Sequence, residues 1–435
     1  MDGIIMALKL QVNTERLVRE LEHLASYSDT PPPAITRILF TKPDLEARAY
    51  LKELFQEAGL KVREDPLGNL FARWEGHAPE LPAVGTGSHI DAIPYAGMYD
   101  GTVGVLGGLE AIRALQQAGF KPHRSIELLV FTAEEPTRFG IGCLGSRALS
   151  GALSPEALRA LKDSEGNSLE EVRQKAGYTG PLEEVRLPEN HYAAFVELHI
   201  EQGPVLEQEG VPLGVVTAIA APASLRVVLE GEGGHAGTVL MPDRKDALCA
   251  AAEIILGVEA FARGSGSINT VATTGFCEVH PNAINSVPSR VRLEIDVRDV
   301  EQSRRDQVVR NILQGVEQVC TRRNIRYSVE IINMDPPAKS ASEVLRALVE
   351  ACGEASVRFK LMVSRAYHDA LFMARIAPTA MLFIPCRGGI SHRPDEYASP
   401  EDIARGVQVL ALTLAKLSQA EEKGPPKDEP LTLND

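Results

Sequence analysis

Hydrophobic and polar positions follow two patterns in the first part of this chain. Leu17, Leu21 and Leu24 recur at helical spacing, and a second amphipathic stretch covers about 45–58. Apolar runs of strand length come next, bounded by Gly- and Pro-rich turns and separated by further helical stretches. This alternation of strands and helices predicts an α/β domain whose mixed or parallel sheet carries helices on both faces.

The pattern changes at about residue 213. Strand-like runs and helical stretches then follow in the order strand 213–219, strand 225–230, helix 243–262, strands 269–279 and 290–297, helix 302–323 and strand 326–332. Short strands with two interleaved helices predict a small α+β, ferredoxin-like domain with its helices on one face. After Pro336 and Pro337, which cannot extend a helix, the earlier style resumes to about Leu417.

With 435 residues, the chain is too long for one ordinary core, so two domains are expected. We predict a catalytic domain in two parts, 1–212 and 333–418, interrupted by an inserted domain at 213–332. The charged, Pro-rich end of the chain, 419–435, is predicted to be disordered.

Composition narrows the classes of partner. A net charge of −14 and a pI near 5.3 argue against nucleic acid or an anionic membrane as partner. No secretory signal and no membrane-spanning apolar run is visible. The six cysteines lack Cys-x-x-Cys spacing, which predicts reduced thiols in a cytoplasmic protein.

Polar residues of metal-binding type stand at the ends of strand-like runs or in the loops just after them. They are His89, Asp100, Glu135, His199 and His392. The carboxyl ends of strands in an open α/β sheet meet in one crevice, so these side chains can share a site. Imidazole nitrogens and carboxylate oxygens together suit zinc, manganese or similar ions. Two metals sharing one carboxylate would use all five residues and leave Glu134 as a base, which is the outline of a two-metal hydrolase.

Each of these residues also has a purely structural interpretation. Asp100 lies at or just before a helix start, where Asp is a common N-cap. Glu134 and Glu135 could form a solvated strand end, although adjacent carboxylates repel unless a cation or shared proton offsets them. Asp91, two residues after His89, is placed to orient that imidazole in a metal site.

Six segments carry a resemblance to a known family. They are GSHIDAIPYAGMYDG, FTAEEPTRFGIGCLGSRAL, ELHIEQGPVLE, GGHAG, PNAINSVPSRVRLEIDVRD and ISHRPDEYASPEDI. They resemble the binuclear amidohydrolases that cleave ureido groups, and the resemblance runs in the same order from about residue 14 to 418. It implies an aminopeptidase-like metallohydrolase fold, with the inserted domain as a lid through which the protein forms a homodimer. It also implies two divalent metal ions per subunit, Mn²⁺ or Zn²⁺, with Co²⁺ or Ni²⁺ as alternatives.

The resemblance implies a role for each matching residue. One metal would be held by His89 and His199, the other by Glu135 and His392, with Asp100 bridging them. Glu134 matches the general base and His235 the lid histidine that stabilises the oxyanion. The substrate-binding positions are matched by Gln202, Asn285, Arg298, Tyr367 and His368. The alternative for Arg298 is a solvated strand residue between two aspartates.

The implied substrate is a small ureido carboxylate. The segments VVTAIAAPASLRVVLEGEGGHAGTVLMPDRKDA and SRAYHDALFMARIAP resemble the branch of the family that converts ureidoglycolate to glyoxylate, ammonia and carbon dioxide. Ala366 and Tyr367 stand before His368, where the allantoate and N-carbamoyl amino acid branches tend to carry Gly-Ala-Gly. Allantoate or an N-carbamoyl-L-amino acid is the alternative substrate. Remote alternatives are an aminopeptidase or deacylase, and a non-catalytic metal-binding protein.

Overall fold

The structure, a computed structural model, describes residues 10–420, which divide into two compact units. The larger unit contains 10–217, 339–362 and 368–420, and the smaller contains 218–338 and 363–367. The insertion expected at 213–332 overlaps the smaller unit, which begins and ends a few residues later and also takes in 363–367. Of the tail expected to be disordered, Gln419 ends the last helix and 421–435 lie outside the described residues.

The strands are, in chain order, β1 (Ile35–Arg37), β2 (Lys61–Glu64), β3 (Leu70–Trp74), β4 (Ala83–His89), β5 (Ala92–Ala96), β6 (Ile126–Phe131), β7 (Tyr192–Ile200), β8 (Leu213–Ile219), β9 (Ala221–Glu230), β10 (Gly234–His235), β11 (Val271–His280), β12 (Ser286–Val287), β13 (Arg290–Asp299), β14 (Arg326–Met334), β15 (Ala338–Lys339), β16 (Phe359–Ser364) and β17 (Thr379–Ile384). The helices are α1 (Thr14–Ser26), α2 (Lys42–Glu57), α3 (Thr102–Gln117), α4 (Leu144–Leu149), α5 (Pro155–Ala160), α6 (Leu169–Lys175), α7 (Val205–Glu209), α8 (Ala247–Arg263), α9 (Gln302–Arg323), α10 (Ser342–Glu354), α11 (Asp369–Met373) and α12 (Pro400–Gln419). Within 10–420, none of these helices is both long and apolar enough to cross a bilayer.

The larger unit is built on a nine-stranded mixed sheet in the order β15-β8-β17-β7-β4-β6-β3-β2, with β16 paired to β8. The four central strands, β17, β7, β4 and β6, run parallel to one another. Every residue of β4, β6 and β17 is buried, as expected for strands covered on both faces. All four strands therefore end at one edge of the sheet.

Helices cover this sheet and build its core. The helices α3 and α12 pack on each other and on the central strands, and α1 and α10 pack on them in turn. The last helix, α12, has a standard N-terminal cap: the Ser399 side chain accepts a hydrogen bond from the Asp402 N–H, and Pro400 occupies the first turn. On β6 and β7, α4 and α11 form a second packed pair. The predicted α/β architecture is confirmed.

The smaller unit is a four-stranded antiparallel sheet in the order β11-β13-β9-β14. Its helices α8 and α9 pack on each other and on this sheet. Alternate residues of β9 and β13 are buried, including Leu225, Val227, Val291 and Leu293, and they form a core of their own with the two helices. The strand and helix order agrees with the ferredoxin-like arrangement expected for the inserted domain.

Candidate metal centre and active site

Side chains from the ends of the parallel strands meet at the carboxyl edge of the large sheet. His89 ends β4, His199 is the last residue but one of β7, Glu134 and Glu135 follow β6, His392 lies in the loop after β17, and Asp100 stands just before α3. The structure thus brings together the five residues that the sequence selects as metal ligands. Among the described residues, two groups of these side chains place their donor atoms close enough to hold a metal ion: His89 with Asp100 and His199, and Asp100 with Glu135 and His392.

His89 and His199 form the first group with one oxygen of Asp100. Asp100 Oδ1 lies 3.5 Å from His89 Nε2 and 3.1 Å from His199 Nε2. The other nitrogen of each ring faces a backbone carbonyl, that of Asp91 at 3.0 Å from His89 and that of Ile200 at 2.9 Å from His199. Each Nδ1 therefore carries a proton that it donates to a carbonyl, and Nε2 of each ring faces Asp100 as the atom that would bind a metal ion.

The second oxygen of Asp100 belongs to the second group. Asp100 Oδ2 lies 3.2 Å from His392 Nε2, which is 3.1 Å from Glu135 Oε1. The His392 side chain is 44% exposed, whereas the carboxylates are buried. One buried carboxylate is thus shared between two groups of three donors, which is the geometry of a bridging ligand. The N-cap interpretation of Asp100 is wrong, because Gly101 occupies the cap position of α3 and no side chain caps this helix.

The nitrogen and oxygen atoms of the two donor groups direct lone pairs at one another, so protons or metal ions must supply positive charge between them. Burial lowers the pKa of His89, but hydrogen bonds to Asp100 and Asp91 outweigh burial and raise that pKa well above its usual value. Burial raises the pKa of Asp100, yet contacts with His199, His392 and His89 hold it well below its usual range. Protons and a metal ion would compete for the same atoms. Three imidazole nitrogens and several carboxylate oxygens fit the donor preferences of zinc and manganese.

Glu134 lies beside the first group. Its Oε2 is 3.9 Å from His89 Nε2, and the side chain is nearly buried. Burial raises the pKa of Glu134 well above its usual value, the His89 ring opposes this rise, and the neighbouring Glu135 carboxylate adds to it. A carboxylate with a raised pKa can accept and return a proton near neutral pH, as a general base must.

The loop that carries the two glutamates is held from several directions. The Asp91 carboxylate accepts the N–H groups of Glu134 at 3.1 Å and Glu135 at 3.0 Å. Asp91 was predicted to orient His89, and both its backbone carbonyl, at 3.0 Å, and its Oδ1, at 3.5 Å, face His89 Nδ1. Ala133 adopts a positive φ of 50°, a conformation that surrounding contacts must maintain.

Two predicted substrate-binding residues lie next to the donors in the larger unit. Gln202 donates from Nε2 to Asp100 Oδ2 at 2.7 Å, and its positive φ of 55° turns the chain there directly after β7. The buried ring of His368 lies 4.5 Å from that of His199, centre to centre. Both residues therefore border the proposed ligands.

His235 and Asn285 are neighbours in the smaller unit. They lie on or next to the β10–β12 pair, where the Ala236 N–H donates to the Asn285 carbonyl at 2.9 Å. Both residues are exposed. The Gly237 N–H donates to His235 Nδ1 at 3.0 Å, so the neutral ring carries its proton on Nε2. His235 can thus offer an N–H donor.

Arg298 and Tyr367 also belong to the smaller unit. The guanidinium carbon of Arg298 lies 5.6 Å from the centre of the Tyr367 ring. Asp296 accepts from Arg298 Nε at 2.8 Å and from Nη2 at 3.3 Å, which fixes the plane of the guanidinium. The Arg298 guanidinium is therefore held in one orientation by a neighbouring aspartate. Its role toward substrate stays a prediction.

Comparison with known proteins assigns the family. The peptidase family M20/M25/M40 matches residues 85–416. The chain belongs to this family. It is 54% identical over 425 residues to the ureidoglycolate hydrolase of Arabidopsis thaliana, a match that covers 96% of this chain and 89% of that protein. The crystal structure of AtUAH in complex with (S)-hydroxyglycine superimposes with a TM-score of 0.86 at 53% identity, covering 94% of this chain and 99% of that one. The structure of AtUAH in complex with glyoxylate gives the same values.

Identity to other members of this family is lower. It is 38% over 415 residues to the N-carbamoyl-L-amino acid amidohydrolase of Geobacillus stearothermophilus, covering 94% of this chain and all of that protein. It is 34% over 400 residues to the allantoate amidohydrolase of Bacillus subtilis, covering 92% and 96% respectively. The predicted membership of the ureido-cleaving group is confirmed. Because these M20 relatives are named hydrolases, the prediction of a hydrolase is confirmed as well.

Several residues around the M20 site were missed by sequence reasoning. Asn69 is buried and accepts the Thr132 N–H at 2.9 Å, and Asp65 accepts from its side-chain amide at 2.7 Å. Ser391 donates toward Asp100 Oδ2 at 2.8 Å and Glu396 Oε2 at 2.9 Å. Ser391 could have been suspected beside His392, but Asn69 could not, because its turn sequence only predicts a turn between two strands.

Proposed function

We propose that this protein is a two-metal amidohydrolase that cleaves the ureido C–N bond of ureidoglycolate and yields glyoxylate, ammonia and carbon dioxide. One observation carries the reaction class: the buried Asp100 carboxylate is shared between two groups of metal donors, and Glu134 lies beside them. A metal site that only stabilises the fold or stores ions does not need a buried carboxylate base beside its ligands, so this arrangement favours a hydrolytic metal site.

His89, His199 and Asp100 would hold one ion, and Asp100, Glu135 and His392 the other. We propose Mn²⁺ or Zn²⁺, with Co²⁺ or Ni²⁺ as alternatives, because mixed nitrogen and oxygen donors accept all four and availability selects among them. Such ions supply Lewis acidity, which the poorly electrophilic ureido carbonyl and the attacking water both require.

Glu134 would perform the proton transfers. Its carboxylate takes a proton from the attacking water and then delivers it to the leaving nitrogen. The burial that raises its pKa favours the protonated intermediate state of this side chain. To transfer a proton from the water to the leaving nitrogen, the carboxylate must be held in a defined orientation. The hydrogen bonds from the Glu134 and Glu135 N–H groups to the Asp91 carboxylate hold the loop that carries it.

The remaining predicted residues are proposed to bind substrate. His235 would donate its Nε2 proton, and Asn285 its amide, to the developing negative oxygen. Arg298, which lies beside the Tyr367 ring, would anchor the substrate carboxylate with its planar guanidinium. Gln202 and His368 would line the part of the pocket next to the donors.

The choice of substrate follows from the relatives and from the products. Hydrolysis of ureidoglycolate releases a carbamate, which decays to ammonia and carbon dioxide, and 2-hydroxyglycine, which collapses to glyoxylate and ammonia. Hydroxyglycine and glyoxylate are the two molecules named in the AtUAH structures. The 54% identity to a ureidoglycolate hydrolase, against 34% to 38% for the allantoate and N-carbamoyl relatives, favours the same substrate here.

A parallel assay tests this proposal. Ammonia and glyoxylate release should be measured from ureidoglycolate, allantoate and N-carbamoyl-L-amino acids, with the protein loaded with manganese or with zinc. We expect kcat/KM for ureidoglycolate to exceed the others by at least about tenfold, since one mismatched polar contact discriminates by about 1.4 kcal/mol. Faster turnover of allantoate or an N-carbamoyl amino acid would overturn the substrate, and no hydrolysis of any ureido compound would overturn the reaction class.

The proposal includes a cytoplasmic homodimer. All six cysteines are unpaired, as expected in a reducing compartment. Subunits would pair through the inserted domain, whose sheet has two exposed edge strands, β11 and β14.

A further inference from the structure

Cys143 makes two contacts with the proposed base. Its Sγ lies 3.4 Å from Glu134 Oε1, and its backbone N–H donates to the Glu134 carbonyl at 2.7 Å. The side chain is fully buried. Cys143 adopts a positive φ of 55° directly before α4, a conformation that few residues other than glycine adopt. The fold therefore holds the thiol against the carboxylate at a cost in backbone energy.

The two oxygens of Glu134 consequently have different surroundings. Oε1 faces the Cys143 thiol, whereas Oε2 faces the His89 ring at 3.9 Å. Burial and the adjacent Glu134 carboxylate raise the pKa of the Cys143 thiol well above its usual value, so the sulfur keeps its proton and acts as donor. A thiol is a weak donor, and it can orient a carboxylate without strongly reducing its basicity.

We propose that Cys143 is a positioning residue for catalysis: its S–H group holds Glu134 Oε1 and thereby leaves Oε2 as the oxygen that exchanges protons with water and leaving nitrogen. This inference rests on the proposed role of Glu134 as general base. It assigns to Cys143 no contact with substrate and no covalent chemistry. Loss of the donor lets the carboxylate rotate, which lowers the fraction of productive orientations.

The test replaces the donor in three ways. Cys143→Ala and Cys143→Gly remove it, and glycine also suits the left-handed backbone, so that variant remains informative if alanine fails to fold. Cys143→Ser keeps a hydrogen-bond donor at the same place. In both donor-free variants we expect kcat for ureidoglycolate to fall about tenfold while KM changes less than about twofold, because positioning acts on the chemical step. Cys143→Ser should regain kcat to within about threefold of the unmodified protein.

Two controls separate the possible outcomes. Cys352→Ala removes another fully buried thiol of the larger unit, on α10, and should leave kcat unchanged. Metal content per chain should be normal in every variant, since Cys143 is not among the donors. Unchanged kcat in Cys143→Ala and Cys143→Gly, or failure of Cys143→Ser to restore kcat, would overturn the positioning role of Cys143. If Glu134→Gln is inactive in the same experiment, the proposed function stands in spite of that result. An active Glu134→Gln would instead overturn the proposed base itself.

Discussion

Asp100 is the residue on which the proposed centre depends. Its two oxygens face different donor groups, and it also accepts from Gln202 and Ser391 at Oδ2. These hydrogen bonds fix the plane of the carboxylate, which is the usual function of groups around a metal ligand. The result is a carboxylate that is oriented before any ion binds.

This arrangement predicts how metal content responds to substitution. Asp100→Ala should lower bound metal at both positions, whereas His392→Ala removes a donor from one group only. With about two ions per unmodified chain, we expect His392→Ala to retain about one and Asp100→Ala well under one. Elemental analysis of dialysed protein measures these ratios. Undiminished metal in both variants would contradict the ligand assignment.

At the scale of elements, the start of α3 shapes the first donor group. Gly101 has a positive φ of 68°, and a Cβ there would lie 2.5 Å from the His89 ring. The helix can therefore begin this close to the imidazole only because the residue has no side chain. Gly119, just beyond the other end of α3, has a similar φ of 74°, but a Cβ there would meet no atom within 4 Å.

The two glycines give a matched pair of variants. Gly119→Ala should cost about 1–2 kcal/mol of unfolding free energy for its left-handed backbone and leave activity unchanged. Gly101→Ala carries the same backbone cost and in addition displaces His89, so kcat/KM should fall by at least about tenfold. Thermal unfolding and kinetics on both proteins separate the two effects. Equal activity of both variants would show that His89 tolerates displacement.

At the scale of the whole molecule, α8 of the smaller unit has apolar side chains on its exposed face as well as on its buried face. Among its 17 residues α8 has only Glu253, Glu259 and Arg263 as charged side chains. Leu256 is 68% exposed on this helix, which packs against the edge strand β11. A helix that is apolar on most sides is usually buried in an assembly. This favours α8 and β11 as the surface through which the proposed homodimer would form.

The expected assembly has twice the chain mass of 47.1 kDa. Leu256→Lys should shift light scattering toward the monomer, because it places a charge in the apolar contact. Ile331→Lys is the matched control, since Ile331 is 52% exposed on the opposite edge strand, β14. If only Ile331→Lys dissociates the dimer, the interface lies at β14 and not at α8. If the unmodified protein is a monomer, the proposed homodimer is wrong.

The sequence by itself determined the order of elements and the residues at the strand ends. Periodicity follows from local geometry, so the runs that became β4, β6 and β7 could be found without their neighbours, together with His89, Glu135 and His199. His392 was selected in the same way, from the loop after the run that became β17. The chemistry of a two-metal site was therefore available before the fold.

Only the tertiary structure decided which groups orient those residues. Asn69 meets Thr132 across 63 positions of the chain, and Ser391 meets Asp100 across 291. Such contacts depend on strand order and on the approach of loops, which leave no local pattern in composition or spacing. The thiol of Cys143 likewise reaches Glu134 only because a left-handed turn before α4 directs it there. Long-range packing, and not residue type, sets these partners.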